Sequence, residues 1–108
     1  METLQYIWVF DGIGGRFPSA VFSTRELAEA YIKKYQVSGT LTRYPIDIPV
    51  YEYVIEKGWW KPSRDYQSTS RFIQSFSSAY LEHFHYARGL GEGEEGFQAA
   101  ADAVESEE

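Results

Sequence analysis

Apolar positions along this chain fall into short blocks with two different periods. In Gln5 to Phe10, Tyr6, Trp8 and Phe10 point one way from an extended backbone, and Ile7 and Val9 the other. Side chains alternate across a strand, so this β-branched and aromatic block predicts an interior strand covered on at least one side. Asp11-Gly12-Ile13-Gly14-Gly15 is rich in residues that tolerate positive φ and predicts a turn. Phe17 to Phe22 predicts a second strand, hairpinned to the first, with Pro18 at its start or edge.

The period then lengthens. Leu27, Ala28, Tyr31, Ile32 and Tyr35 recur every three or four residues, with Glu26, Glu29, Lys33 and Lys34 opposite them. That is an amphipathic helix, and Glu29 and Lys33 stand at the favourable four-residue offset. Ser23-Thr24-Arg25-Glu26 reads as a capping box at its start. The helix should stop near Tyr35, and Gly39 should end the connection to a third strand over Thr40 to Tyr44. Strand, helix and strand in this order permit a right-handed crossover.

Asp47 and Pro49 predict a second helix start, with Val50, Tyr51, Val54 and Ile55 as its apolar stripe and Gly58 just past its end. Pro62 rules out its continuation. Residues 63–70 read as a polar loop, and Arg71 to Phe76 as a fourth strand. Residues 79–88 carry both periods. The alternation of His83, Phe84, His85 and Tyr86 favours a strand closing a hairpin. The expected fold is α+β: a mixed sheet of four or five strands with two helices on one face.

Composition divides the chain in two. Residues 92–108 hold seven acids and no base, whereas residues 1–91 hold nine acids and ten bases. The net charge of −6 therefore belongs to an appendage and not to the body. Four Gly fall among the first eight residues from Gly89, and an Ala-rich stretch follows. The expectation is one domain over residues 1–90 and an acidic, disordered tail over 91–108, at most a frayed helix. The tail would repel phosphate, and the body has no clustered basic excess, so nucleic acid is not an expected partner.

With no Cys, disulfides and thiolate metal sites are excluded. The first ten residues lack a basic segment before their short apolar run, and no apolar stretch approaches the ~20 residues of a membrane helix. The expectation is a cytoplasmic protein with no membrane partner, as monomer or homodimer.

The stretch from Trp8 to Pro62 resembles a family of small, uncharacterised bacterial domains. The residues that carry the likeness include Trp8-Val9-Phe10, Arg16-Phe17-Pro18-Ser19, Thr24-Arg25-Glu26, Ser38-Gly39-Thr40-Leu41-Thr42, Tyr44-Pro45, Val50-Tyr51, Gly58 and Lys61-Pro62. A weaker echo covers Phe72-Ile73 and His83 to Tyr86, and Gln74-Ser75 stands where the family pattern has Gly-Gly. The resemblance implies a stand-alone domain of about this size and assigns it no activity.

Candidate chemistry is sparse. His83 and His85 would share one face of a strand and could meet one metal ion, although Glu82 would face away and no third ligand is evident. Gly12-x-Gly14-Gly15 leads into a strand, not a helix, so it reads as a turn and not as a phosphate loop. No nucleophile has an evident base, and neither a catalytic residue nor a cofactor is expected.

Aromatic residues are abundant instead: seven Phe, nine Tyr and three Trp. Trp59 and Trp60 are adjacent and point in different directions, so either one packs under the second helix while the other is free to anchor an interface, or both cap the edge of the core. Tyr44, Tyr53, Tyr66 and Tyr80 are further candidates for exposed rings. The leading expectation is a non-enzymatic protein-interaction module whose partner is another protein. One version is an immunity protein that binds and neutralises a toxin. The alternatives are a small ligand- or metal-binding domain using His83 and His85, and a self-associating structural domain using Trp59 or Trp60.

Overall fold

The computed structural model describes residues 5–107. Residues 1–4 of the expected body and Glu108 of the expected tail lie outside the described residues. The fold is α+β. Its strands are β1 (Tyr6–Gly12), β2 (Ala20–Phe22), β3 (Gly39–Pro45), β4 (His83–Ala87) and β5 (Leu90–Gly91), in the order β2-β1-β3-β4-β5. The helices are α1 (Arg25–Tyr35), α2 (Val50–Glu56), α3 (Ser70–Ile73) and α4 (Phe97–Glu107), with a 3-10 turn at Asp65–Ser68.

Every neighbouring pair of strands is antiparallel. The expected mixed sheet is thus corrected, for a specific reason. β2 and β3 do run parallel to each other, as a strand-helix-strand unit requires, but β1 lies between them. Helix α1 therefore passes over β1, and its inner side meets the centre of the sheet. Trp8 and Phe10 of β1, Leu41 of β3 and Tyr86 of β4 form one buried cluster with Ala28 and Ile32 of α1. Ile32 is wholly inaccessible, which contributes about 1.5–3 kcal/mol relative to exposure.

Two details of α1 differ from the sequence reading. Its N-cap is Thr24, not Ser23: Thr24 is extended and its hydroxyl accepts the Leu27 N–H at 3.2 Å, so Glu26 has no capping-box role. The apolar stripe is also wider than the buried one. Leu27 and Tyr35 are exposed, because the sheet covers only the line through Ala28 and Ile32. The second strand is likewise shorter than expected. Phe17 belongs to the hairpin loop and is 77% exposed.

The segment expected as a fourth strand, Arg71 to Phe76, is instead helix α3 followed by a turn. The Thr69 hydroxyl accepts the Phe72 N–H at 3.3 Å and caps the helix. Phe72 lies in α3 and Phe76 just past the turn that follows it, and both rings meet Trp60. The fourth strand of the sheet is the His83 to Ala87 block, as the alternation there predicts.

The acidic segment also differs from its expected disorder. Leu90–Gly91 pairs with β4, and Phe97 begins an eleven-residue helix in contact with β4 and β5. Phe97, Ala100, Ala101 and Val104 fall at helical spacing and turn inward, and Val104 is only 9% exposed. Lys33 of α1 reaches the Glu94 carboxylate at 3.1 Å and ties the start of this segment to the body. Among the described residues the two expected helices are therefore four.

The radius of gyration, 16.0 Å, exceeds the ~13 Å of a compact chain this long. Residues 46–80 form a lobe around their own rings, and the sheet and this lobe do not share one core. At the junction of β1 and β3, by contrast, the backbones approach closely. A Cβ at Gly39 would fall on the Asp11 carbonyl oxygen and within 2.9 Å of the Phe10 ring and of Gly12 Cα.

Two expected outcomes follow from this packing. Gly39→Ala is expected to destabilise the fold by about 3 kcal/mol, whereas Gly12→Ala, whose Cβ meets nothing closer than 3.7 Å, stays close to wild type in urea unfolding. Equal midpoints for the two variants would contradict this strand register. Val104→Asp is expected to cost about 2 kcal/mol and to release the amides of α4 to fast hydrogen exchange while those of β1 stay protected. Retained protection across α4 would mean that the helix does not depend on that contact.

Candidate functional site

Trp59 owes its position to the end of α2. Gly58 has φ +74°, which glycine adopts without Cβ strain. Its N–H bonds the Ile55 carbonyl, and the Trp59 N–H bonds the Val54 carbonyl at 3.0 Å. This pair of bonds is a Schellman C-cap, and it folds the chain back over the helix. Trp59 then meets Tyr53 edge-on, with ring centroids 5.6 Å apart, and faces Tyr80 at 6.0 Å.

Tyr53, expected as an exposed ring, is instead buried beneath Trp59, and its hydroxyl lies 3.2 Å from that of Tyr6 at the end of β1. Burial, and then the hydrogen bond to Tyr6, push the Tyr53 phenol up to about 12. The Arg43 guanidinium stacks 3.6 Å above the Tyr6 ring and stands 3.9 Å from the Glu82 carboxylate. Tyr6, Arg43, Tyr53, Trp59, Tyr80, Leu81 and Glu82 thus line a hollow of about 260 Å³. It has aromatic walls, one cation and one carboxylate. Trp59 is 38% exposed and Tyr80 68%, so the rim offers apolar surface to solvent.

The neighbouring Trp60 turns the opposite way. It stacks on Phe72 at 5.9 Å with planes 16° apart, and touches Phe76 and Tyr51. The Tyr51 hydroxyl donates to the Gln67 carbonyl at 2.9 Å, and the Gln67 side chain accepts from the Ser63 and Arg64 amides. Trp60 is thereby half-buried as the centre of the lobe. Tyr66 packs edge-on to Phe72 and keeps an exposed outer side. Tyr44 lies away from both groups. It is half-buried on the second face of the sheet, beside Ile7.

The structure thus brings together Trp59, Tyr53 and Tyr80, places Trp60 with Tyr66 in the lobe, and leaves Tyr44 apart. His83 and His85 lie on that second face, with ring centroids 5.2 Å apart. Among the described residues, no group of three His, Cys, Asp or Glu is arranged to hold a metal ion. Sequence reasoning missed Tyr6, Arg43, Leu81 and Glu82. Tyr6 was legible as the end of the Tyr6-Trp8-Phe10 face. Arg43 and Glu82 carried no signal, because they meet only when β3 pairs with the chain entering β4.

A polar cluster crosses from α1 to β4. The Tyr86 hydroxyl donates to Glu29 at 2.8 Å, Arg25 sits 3.4 Å from the same carboxylate, and the Arg25 guanidinium covers the Phe84 ring at 3.5 Å. Lys33 and the Gly91 N–H hold the Glu94 carboxyl below its ordinary range.

A family model matches residues 7–92 and is described as "Domain of unknown function (DUF7710)". The matched span takes in β2 to β5 and all of β1 but Tyr6, and it stops before α4. No curated protein and no solved structure matches the chain.

Burial, and then the bond to Glu29, push the Tyr86 phenol up to about 12. An unfolded tyrosine ionises near ~10. The neutral phenol therefore adds stability that is complete below about pH 10 and is lost between about pH 10 and 12, where the unfolded chain sheds its proton first. Over that window the midpoint of urea unfolding is expected to fall more steeply for wild type than for Tyr86→Phe. Identical slopes would assign the alkaline loss to other groups.

Proposed function

The chain belongs to this family of domains of unknown function, and we propose that it is a protein-recognition module that presents the Trp59–Tyr80 surface to a partner protein. One observation carries the reading. A tryptophan and a tyrosine stand partly exposed on the rim of a hollow whose base is fixed by buried Tyr53 and by Arg43. Interface anchors are enriched in Trp, Tyr and Arg set in rigid surroundings. The hollow, at about 260 Å³, falls below the usual 300–1,000 Å³ of small-molecule sites and suits one inserted side chain.

Charge supports the same reading. Residues 92–108 hold seven acids, and Glu95, Asp102 and Glu105 of this segment are exposed. A basic partner surface complements this arrangement and is steered to it at low salt. An immunity protein that neutralises a basic toxin is one concrete form of such a module.

The test uses the full chain and the Trp59→Ala/Tyr80→Ala double variant, both immobilised against a lysate of the native host. A protein retained by wild type is then purified and titrated against both. Loss of the two anchors is expected to weaken its binding by about 2–4 kcal/mol, roughly 30- to 1,000-fold. Unchanged affinity would sink this surface as the recognition site. A change in the mass of the isolated chain caused by the same variant would identify the partner as a second copy.

A further inference from the structure

His83 and His85 are the two histidines of the chain, and β4 carries them two residues apart on one face. Their ring centroids are 5.2 Å apart and their planes meet at 84°. A zinc ion bound through one nitrogen of each ring, at ~2.0 Å, lies about 3.2 Å from each centroid, so a tetrahedral angle sets the centroids about 5.2 Å apart. The observed spacing, ordinary for an edge-to-face ring pair, also admits shared chelation.

Hydrogen bonds orient the rings as well. The His83 Nδ1 donates to the Leu81 carbonyl at 2.8 Å. A carbonyl only accepts, so in the neutral ring the proton is on Nδ1 and the lone pair is on Nε2. The His85 Nδ1 lies 3.3 Å from the Thr40 hydroxyl on the neighbouring strand. Both rings are thus tied through Nδ1: the His83 Nε2 carries the lone pair, and so does the His85 Nε2 in the tautomer whose Nδ1 donates to the Thr40 hydroxyl, the arrangement that outer partners impose on metal-binding histidines. Thr40 and His85 also line a hollow of about 320 Å³ beside α4 that Glu105 borders.

We propose that His83 and His85 chelate a divalent transition-metal ion, of the class of Zn²⁺, Ni²⁺ and Cu²⁺, with water in the remaining positions. Imidazole selects these ions over Mg²⁺ and Ca²⁺, which prefer oxygen. Two protein ligands make the ion exchangeable, and the fold does not depend on it. The site is distinct from the Trp59–Tyr80 surface and stands or falls separately.

Calorimetric titration of the full chain, free of any histidine-rich tag, with NiCl₂ and ZnCl₂ tests this. One saturable site is expected with each metal, none with MgCl₂, and none in His83→Ala or His85→Ala. Shifts of the imidazole proton signals of the wild-type chain on adding Zn²⁺ provide a readout that needs no variant. Two results would overturn the proposal. One is the absence of both saturable heat and imidazole shifts in the wild-type chain at millimolar metal. The other is wild-type affinity in the His83→Ala/His85→Ala double variant, which would place the ion on carboxylates elsewhere.

Discussion

Burial of Trp8 and Phe10 beneath Ala28 and Ile32 is the contact on which the remainder of this molecule is assembled. It requires α1 to pass over β1, and that passage requires β2 and β3 to flank β1 on either side. The tight approach of Gly39 to Asp11 and Gly12 sets the depth at which β3 pairs, and so brings Leu41 beside Phe10. Register then propagates outward. Leu41 opposes Phe84, and Tyr86 falls where its hydroxyl meets Glu29. A one-residue slip would turn each of these side chains to the other face.

A second group of rings stands apart from this core. Trp60, Phe72, Phe76, Tyr51 and Tyr66 pack on one another in the lobe of residues 46–80, none with a ring contact to Trp8 or Phe10. Buried side chains are few there, at Tyr53 and Val54 of α2. The lobe therefore has less apolar burial to hold it than the sheet. Between the two lies the Tyr6–Tyr53 contact, and beside it the hollow under Trp59. A surface at such a junction combines a rigid floor supplied by β1 and β3 with a rim supplied by α2 and the chain entering β4.

Much of this architecture is legible in the order of the residues. The alternation of β1, the 3.6-residue period of α1 and the strand character of His83 to Ala87 each follow from spacing that local geometry enforces. The divergence of Trp59 and Trp60 follows from their adjacency, and Gly58 marks the turn between helix and tryptophan. Residues 71–76 misled for a physical reason. A short aromatic block with mixed spacing fits either period, and the Thr69 cap with the partner ring of Trp60 decides for helix. The acidic segment misled because its charge is conspicuous and its stripe of Phe97, Ala100, Ala101 and Val104 is weak by side-chain size. That stripe is too small to order a free helix and large enough to order one held against β4.

The amino-acid sequence by itself determined the class of the fold, the periods of its main elements, the separation of charge between body and end, and the surplus of rings. Those properties depend on neighbours within a few residues, where backbone geometry dictates which side chains share a face. The tertiary structure alone decided that β1 lies between β2 and β3, that Arg43 stacks on Tyr6, and that Thr40 reaches His85. Arg43 and Tyr6, and Thr40 and His85, stand more than thirty positions apart, and all three arrangements depend on strand order and register. Local propensity is silent about both, because it is the burial of a whole face that selects them.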